Sequence, residues 1–170
     1  MPKTKVQGVI FGLIMSYAMA YGMEVFNVAV KWGLGADLSG MTNGVFLGAL
    51  EEASYMGLFV FLFSNLWGNR FGAWMMLRRC DPEKDNPFVC QIVRQGCTVA
   101  IMCPTMSLVA SILFSVILAG RPVSQLPAIW AGTLIKNFPI AFFLNFFAAA
   151  PFTHVVFRLL FGKRNAAVEQ

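Results

Sequence analysis

The chain has 170 residues, of which 58% are hydrophobic and only 12% are charged. Soluble domains carry about 25% charged residues, and a water-soluble fold of this size could not bury so much apolar surface in one core, so the composition excludes an ordinary soluble domain. The net charge of +5 would suit a nucleic-acid partner, but the basic residues flank apolar stretches, and no nucleic acid is expected.

Four stretches are apolar over the roughly 20 residues that a membrane-spanning helix requires. In chain order they lie near Val6–Lys31, Asn43–Trp67, Ile92–Ala119 and Pro127–Pro151. The first stretch begins like a signal peptide, but it stays apolar well beyond Ala20, so no cleavage is expected. The last helix is expected to run past the bilayer towards Leu160.

The predicted fold class is all-α: a polytopic membrane four-helix bundle made of two parallel tandem helical hairpins. The first hairpin occupies residues 1–77 and the second 92–161, with a linker over 78–91 and a tail over 162–170. Ten of the 13 Lys and Arg residues lie beside this linker or near the chain ends, and the opposite loops hold only Lys31 and Arg121. The positive-inside rule then predicts that both termini, the linker and the tail are cytoplasmic.

The two halves of the chain align with each other. Laying residues 6–30 on residues 93–117 gives a series of identities in constant order, among them Met15 with Met102. Such a repeat of two spans returns the chain to its starting side. The copies are therefore predicted to be parallel, related by a pseudo-twofold axis along the membrane normal.

Short motifs in the second half carry a resemblance to a known family. They are Trp130, Asn137-Phe138-Pro139-Ile140-Ala141, Ala150-Pro151 and Arg158. On these motifs the chain resembles a tandem copy of the short two-span bacterial membrane domain known only as a domain of unknown function. In the first half Asn27 matches a polar position of that family, whereas Tyr55 and Trp67 stand where the second half has two prolines. The resemblance implies a membrane fold and a bacterial inner membrane, and it implies no activity.

Four ionisable side chains lie within the predicted spans. They are Glu24, Glu51, Glu52 and Lys136. A charge at the centre of a spanning helix costs about 2.5–3.5 kcal/mol on insertion scales, so each asks for a reason. Glu24, Glu52 and Lys136 lie roughly 12–14 Å below the outer ends of their helices at 1.5 Å per residue.

This shared depth predicts one ion or proton site in the outer half of the membrane. Its candidate residues are Glu24, Glu51, Glu52, Lys136, Asn27, Asn137 and Ser111. Several carboxylates near one cation in a low dielectric cannot all ionise easily, so at least one is expected to hold a proton. Glu51 points about 100° away from Glu52 on the same helix and is the weakest member, because snorkelling to the lipid edge would also explain it.

Glu52 and Lys136 are equivalent positions in the repeat, and opposite charges at equivalent positions can face each other across the axis. Small residues precede both at steps of four. These helix-packing candidates are Gly44 and Gly48 before Glu52, and Ala128 and Gly132 before Lys136. Small-xxx-small stripes let membrane helices approach closely. The second and fourth helices are therefore predicted to pack along these stripes above a Glu52–Lys136 ion pair.

Two functions fit this pattern. The first is a small proton- or cation-coupled carrier, working with the lipid bilayer around it as a homodimer or larger assembly. The second is a non-transporting scaffold or regulatory subunit for a membrane-protein partner, in which the Glu52–Lys136 pair fixes helix packing. The sequence shows no phosphate-binding loop and no nucleophile with an evident base, so no enzyme activity and no cofactor are expected.

The sulfur-containing residues give a weaker signal. Met15, Met19 and Met23 lie at steps of four, which is usual for packing, so soft-metal transport is the less favoured interpretation. The cysteines show no close metal-ligand spacing, so no metal is expected. Cys80 and Cys90 lie on the predicted reducing side, where disulfides are not expected.

Overall fold

The computed structural model describes residues 4–33, 41–81 and 85–166, and within these ranges the chain is helical with no strand. Four long helices follow one another, and we number them α1 to α4. Helix α1 is Lys5–Lys31 and α2 is Asn43–Leu77, while α3 comprises Pro87–Ala110 and Ser111–Leu118, and α4 comprises Leu126–Leu144, Asn145–Ala149 and Ala150–Ala166. A single 3₁₀ turn, Val123–Gln125, precedes α4.

All four helices are long and apolar enough to cross a bilayer within the described residues. Only 17% to 33% of the residues in their most apolar windows are buried inside the protein. Most residues in these windows are therefore at least partly exposed on the protein surface, an arrangement that lipid stabilises and water does not. The expectation of four apolar spanning helices is confirmed to this extent, and it fits a membrane protein.

The helices extend beyond the predicted spans. Helix α2 runs on past Trp67 to Leu77, and α3 already begins at Pro87. The spans were bounded by the loss of apolar character, but a helix continues into a polar region as long as nothing breaks its hydrogen bonds. Residues 82–84 of the predicted linker and 167–170 of the predicted tail lie outside the described residues.

π-helical segments lie within α2 and α4 and at the end of α3. They are Ser64–Gly68 in α2, Ser111–Leu118 in α3 and Asn145–Ala149 in α4. Each π turn shifts the faces that follow it, because it adds a residue to a helical turn. A helix with one apolar pattern can thus present different faces before and after such a segment.

The chain divides into two compact units. The first consists of Met1–Phe61 together with Leu144–Gln170, and the second consists of Leu62–Phe143. Helices α2 and α4 each contribute one part to either unit. The boundaries lie next to the π-helical segments of these two helices.

In the first unit, α1 packs antiparallel against the beginning of α2. A Cβ atom on Gly48 would lie 3.4 Å from Val28, and one on Gly57 would lie only 2.6 Å from the Tyr17 ring. The contact on α1 moves back from Val28 to Tyr17 as the position on α2 advances from Gly48 to Gly57, which is the order expected of antiparallel helices. Val28, Ala29, Val45 and Ala49 are almost fully buried where the two helices meet.

The end of α4 covers another part of α1 in the same unit. The rings of Phe11 and His154 lie 5.3 Å apart. The fully buried Thr153 hydroxyl donates to the Ala149 carbonyl at 2.7 Å and lies 3.4 Å from the Met15 sulfur. These contacts place α1 between parts of two other helices.

In the second unit, the end of α2 packs closely against α3. A Cβ atom on Gly68 would collide with the Met102 side chain, and one on Gly72 would collide with Thr98. Glycine at both positions lets the two helices approach closely. On the other side of α3, the Trp130 indole of α4 donates to the Pro104 carbonyl at 3.0 Å.

Candidate functional site

An ion pair joins the end of α1 to α2 in the first unit. The Lys31 ammonium lies 2.7 Å and 2.8 Å from the two carboxylate oxygens of Glu52. The Lys31 side chain is 41% exposed and that of Glu52 is 22% exposed, so the pair is partly sheltered. Helical side chains lean towards the N-terminus of their own helix. Because α1 and α2 are antiparallel, Lys31 and Glu52 lean towards each other.

Glu24 lies on α1 about two helical turns before Lys31, and it is 3% exposed. The Asn27 amide donates to its carboxylate at 3.5 Å. Glu52 and Lys31 are both close enough to act on Glu24 electrostatically. Glu24, Asn27 and Lys31 are spaced i, i+3 and i+7, so they share one face of α1. We call Glu24, Asn27, Lys31 and Glu52 the carboxylate cluster.

The carboxylate cluster holds two acidic groups and one ammonium. A hydrogen bond between two carboxyl groups requires a proton on one of them, because an ionised carboxylate can only accept. Tyr55 lies three residues after Glu52 on α2, so the two side chains are neighbours on the helix surface. With two carboxyl groups and one ammonium, the carboxylate cluster can carry a proton on one carboxyl group or, once that proton leaves, accept a cation.

Glu51 and the two glycines lie elsewhere in the first unit. Glu51 is exposed, as its direction away from Glu52 predicts, and its backbone carbonyl accepts from the Ser54 hydroxyl at 2.6 Å. Gly44 and Gly48 face α1: their Cβ positions would lie 3.2 Å from Trp32 and 3.4 Å from Val28. Within this unit their small size serves the approach of α1.

The other predicted residues belong to the second unit. Lys136, Ala128 and Gly132 are exposed. Ser111 is buried and donates to the Ser107 carbonyl at 2.7 Å. Asn137 is 5% exposed, and its Oδ1 atom has no hydrogen-bond partner among the described residues. The predicted Glu52–Lys136 pair and the predicted pairing of the small-residue stripes would join the two units, and both stay predictions.

Two residues at or beside the carboxylate cluster, Lys31 and Tyr55, were not predicted from the sequence to lie there. Lys31 was predicted to end the first span and its charge was counted with the outer loop, although its spacing from Glu24 and Asn27 on one face is a signal that could have found it. A lysine at the last turn of a helix can bend its long apolar stem back along the helix. Tyr55 was noted only as a departure from a family proline, and its position one turn after Glu52 was the overlooked signal.

Residues that could hold a metal ion lie in the second unit, outside the apolar spans. The sulfur atoms of Cys80 and Cys90 and a carboxylate oxygen of Asp85 all lie within 4.8 Å of one another. Both cysteines are free and buried. Burial raises the pKa of the Cys90 thiol to about 11, and the hydrogen bond with Cys80 adds to this rise. The two thiols are separated by nine residues in sequence, which is why close ligand spacing did not reveal them.

Comparison with known proteins finds a family match in the second half of the chain. Residues 94–161 match the family described as "Domain of unknown function (DUF2798)". This confirms the resemblance of the second half to a domain of unknown function, and the tandem copy stays a prediction. No curated protein and no solved structure matches the chain.

Proposed function

We propose that the protein is a small carrier of the bacterial inner membrane that couples substrate movement to a proton or a monovalent cation. The observation that carries the proposal is the carboxylate cluster, with a buried Glu24 beside Glu52 and a single ammonium between two helices. Ionisable residues inside spanning segments commonly serve as proton relays or ion sites. Glu24 lies about 10 Å from the end of α1 at 1.5 Å per residue.

The residues of the carboxylate cluster have separate roles in the proposed transport. Glu24 and Glu52 share a proton in one state. When that proton leaves, the excess negative charge is balanced by an incoming cation, and the Asn27 amide holds the Glu24 oxygen in place. The partly exposed Lys31–Glu52 pair forms the polar connection between Glu24 and the end of the helix. Coupling follows because the cluster cannot stay fully ionised and empty in a low dielectric.

The proposal includes a topology and an assembly. Two tandem hairpins run parallel in the membrane with both termini cytoplasmic, so the Lys31 end of α1 faces the outside. Four helices enclose little volume. A second copy of the chain therefore helps to line the path, and the working form is a homodimer or larger.

Purified protein in liposomes tests the proposed transport. An imposed pH gradient or sodium gradient should drive proton uptake, followed with an internal pH-sensitive dye, well above the rate of empty liposomes. Glu24→Gln and Glu52→Gln should each lower this flux at least tenfold, because an amide can neither carry the proton nor balance a cation. Glu51→Gln is the matched control, since this neighbour on α2 is exposed outside the cluster.

Two results would remove the carrier proposal. One is a wild-type rate equal to that of empty liposomes under both gradients. The other is wild-type flux in both cluster variants, provided that their helix content and detergent behaviour match those of the wild type. A loss of flux in Glu51→Gln equal to that in the other two variants would count against the cluster as the site.

The ion pair itself favours a second function, that of a non-transporting scaffold or regulatory subunit. A Lys31–Glu52 contact at 2.7 Å ties α1 to α2 and needs no transport to explain it, because buried polar pairs can fix helix packing. This alternative expects no flux from intact protein and a membrane-protein partner at fixed stoichiometry. Isolation from native membranes in mild detergent separates the two, since the carrier should show only self-association.

A further inference from the structure

The close contact between α2 and α3 sets a register that extends beyond the membrane-spanning part. Gly68 lies against Met102, and Gly72 lies against Thr98. Each step of four residues along α2 is thus matched by a step of four back along α3. Two further steps in the same register lead from Gly72 to Cys80 and from Thr98 to Cys90. The glycine contacts therefore explain why the two sulfur atoms meet.

Backbone hydrogen bonds hold the three ligand candidates in place. The Cys80 amide donates to the Met76 carbonyl at 2.8 Å, at the end of α2. The Cys90 amide donates to the Asn86 carbonyl at 3.1 Å, in the first turn of α3. Between them, the Asp81 amide donates to the Asp85 carboxylate and the Asp85 amide donates to the Asp81 carbonyl, both at 2.8 Å. These two hydrogen bonds hold Asp85 beside Asp81, the residue that follows Cys80.

We propose that Cys80, Asp85 and Cys90 bind a zinc-class divalent metal ion where α2 meets α3. Two thiolates and a carboxylate are a zinc ligand set, and zinc–sulfur and zinc–oxygen bonds of about 2.3 Å and 2.0–2.2 Å put these tetrahedral donor atoms about 3.5–3.8 Å apart. The three donor atoms already lie within 4.8 Å of one another, so small side-chain rotations suffice. Cuprous ion suits the site less well, because it favours sulfur ligands alone.

The surroundings fit a metal better than isolated thiols. Cys80 is 7% exposed and Cys90 is 5% exposed, while Asp85 is exposed. The ion would thus sit with its sulfur ligands covered and its oxygen ligand towards solvent, and its fourth position would be open to water or another ligand. It would fasten the end of α2 to the start of α3. This site is separate from the carboxylate cluster and does not depend on the proposed transport.

Cobalt and zinc titration of the reduced full-length protein in detergent tests the site. Wild-type protein should bind one zinc ion per chain, and cobalt should give thiolate-to-cobalt charge-transfer absorption that zinc removes. Cys80→Ser and Cys90→Ser should each weaken binding at least tenfold and diminish that absorption. Asp85→Asn should weaken binding and keep the charge-transfer band. Cys97→Ser is the matched control, since Cys97 is a buried cysteine of α3 outside the cluster.

A second measurement uses the wild-type chain alone and so does not depend on whether variants fold. Zinc should protect Cys80 and Cys90 from alkylation, as read by peptide mass spectrometry, and should leave the labelling of Cys97 unchanged. Equal labelling with and without zinc would overturn the proposal. So would undiminished one-to-one zinc binding by a Cys80→Ser/Cys90→Ser double variant. Recovery of Cys80 and Cys90 as a disulfide from cells lysed with a thiol-blocking reagent would also overturn it.

Discussion

Gly72→Ala is expected to destabilise the protein by about 1–3 kcal/mol, the usual cost of forcing an extra group into a packed contact. A Cβ atom at this position would collide with the Thr98 side chain and would lie 3.2 Å from the Thr98 Cα atom. The backbone cannot rotate away as a flexible side chain can, so α2 and α3 must separate. Unfolding in detergent, followed by helix content against increasing denaturing detergent, measures the change.

The same substitution at open positions should have the opposite sign. Nothing lies within 4 Å of a Cβ atom at Gly8 or Gly132, and alanine in a helix interior is favoured over glycine by about 0.5–1 kcal/mol. Gly8→Ala should therefore leave stability unchanged or raise it slightly, whereas a loss in Gly132→Ala would support the predicted pairing of the small-residue stripes. Gly68→Ala should fall between, because the Met102 side chain that it meets can move. Wild-type stability in Gly72→Ala would show that the two helices are not this close.

The spanning helices could be predicted because hydrocarbon imposes a length and a composition on them. A helix needs about 20 apolar residues to cross the bilayer, so each apolar stretch of this length predicts one spanning helix. Their ends could not be predicted the same way. The stretch after Trp67 is polar enough to leave hydrocarbon, yet it has no proline to stop the hydrogen-bonding pattern, and α2 continues to Leu77.

The members of the carboxylate cluster could be predicted in part. Depth along each helix brought Glu24 and Glu52 to a common level, since rise per residue is nearly constant. Depth says nothing about which face of a helix meets which neighbour. The partner of Glu52 in the first unit, Lys31, depends on the antiparallel packing of α1 on α2 and on the lean of both side chains. This partner was not predicted because the charge of Lys31 was counted with the outer loop.

The cluster of Cys80, Asp85 and Cys90 could not be predicted from the sequence, for a different reason. Cys80 and Cys90 meet because two glycines fix the register of α2 on α3. Register between helices is set by shape at a few contacts, and a hydrophobic pattern read from one helix at a time does not contain it. The spacing of nine intervening residues becomes meaningful only after the turn between the helices is known.

Reversing a charge at the Lys31–Glu52 pair should have the second large effect. Lys31→Glu places a third carboxyl group beside Glu24 and Glu52, in a region that is partly shielded from water. Breaking a buried pair costs about 3–5 kcal/mol and an exposed pair 0.2–1 kcal/mol, so for this half-sheltered pair a loss of about 1–3 kcal/mol is expected. Glu52→Lys should cost less, because the new ammonium stays next to Glu24.

The double variant Lys31→Glu with Glu52→Lys should recover most of the stability lost by Lys31→Glu, since it restores one ammonium between two carboxylates. Glu51→Lys is the control for a charge reversal on the exposed side of α2. The repeat-based prediction pairs Glu52 with Lys136 and expects rescue of Glu52→Lys by Lys136→Glu. A double-mutant cycle on unfolding in detergent compares the two. Coupling between 52 and 136, without coupling between 31 and 52, would contradict the contact that ties α1 to α2, because only groups in contact share an interaction free energy of this size.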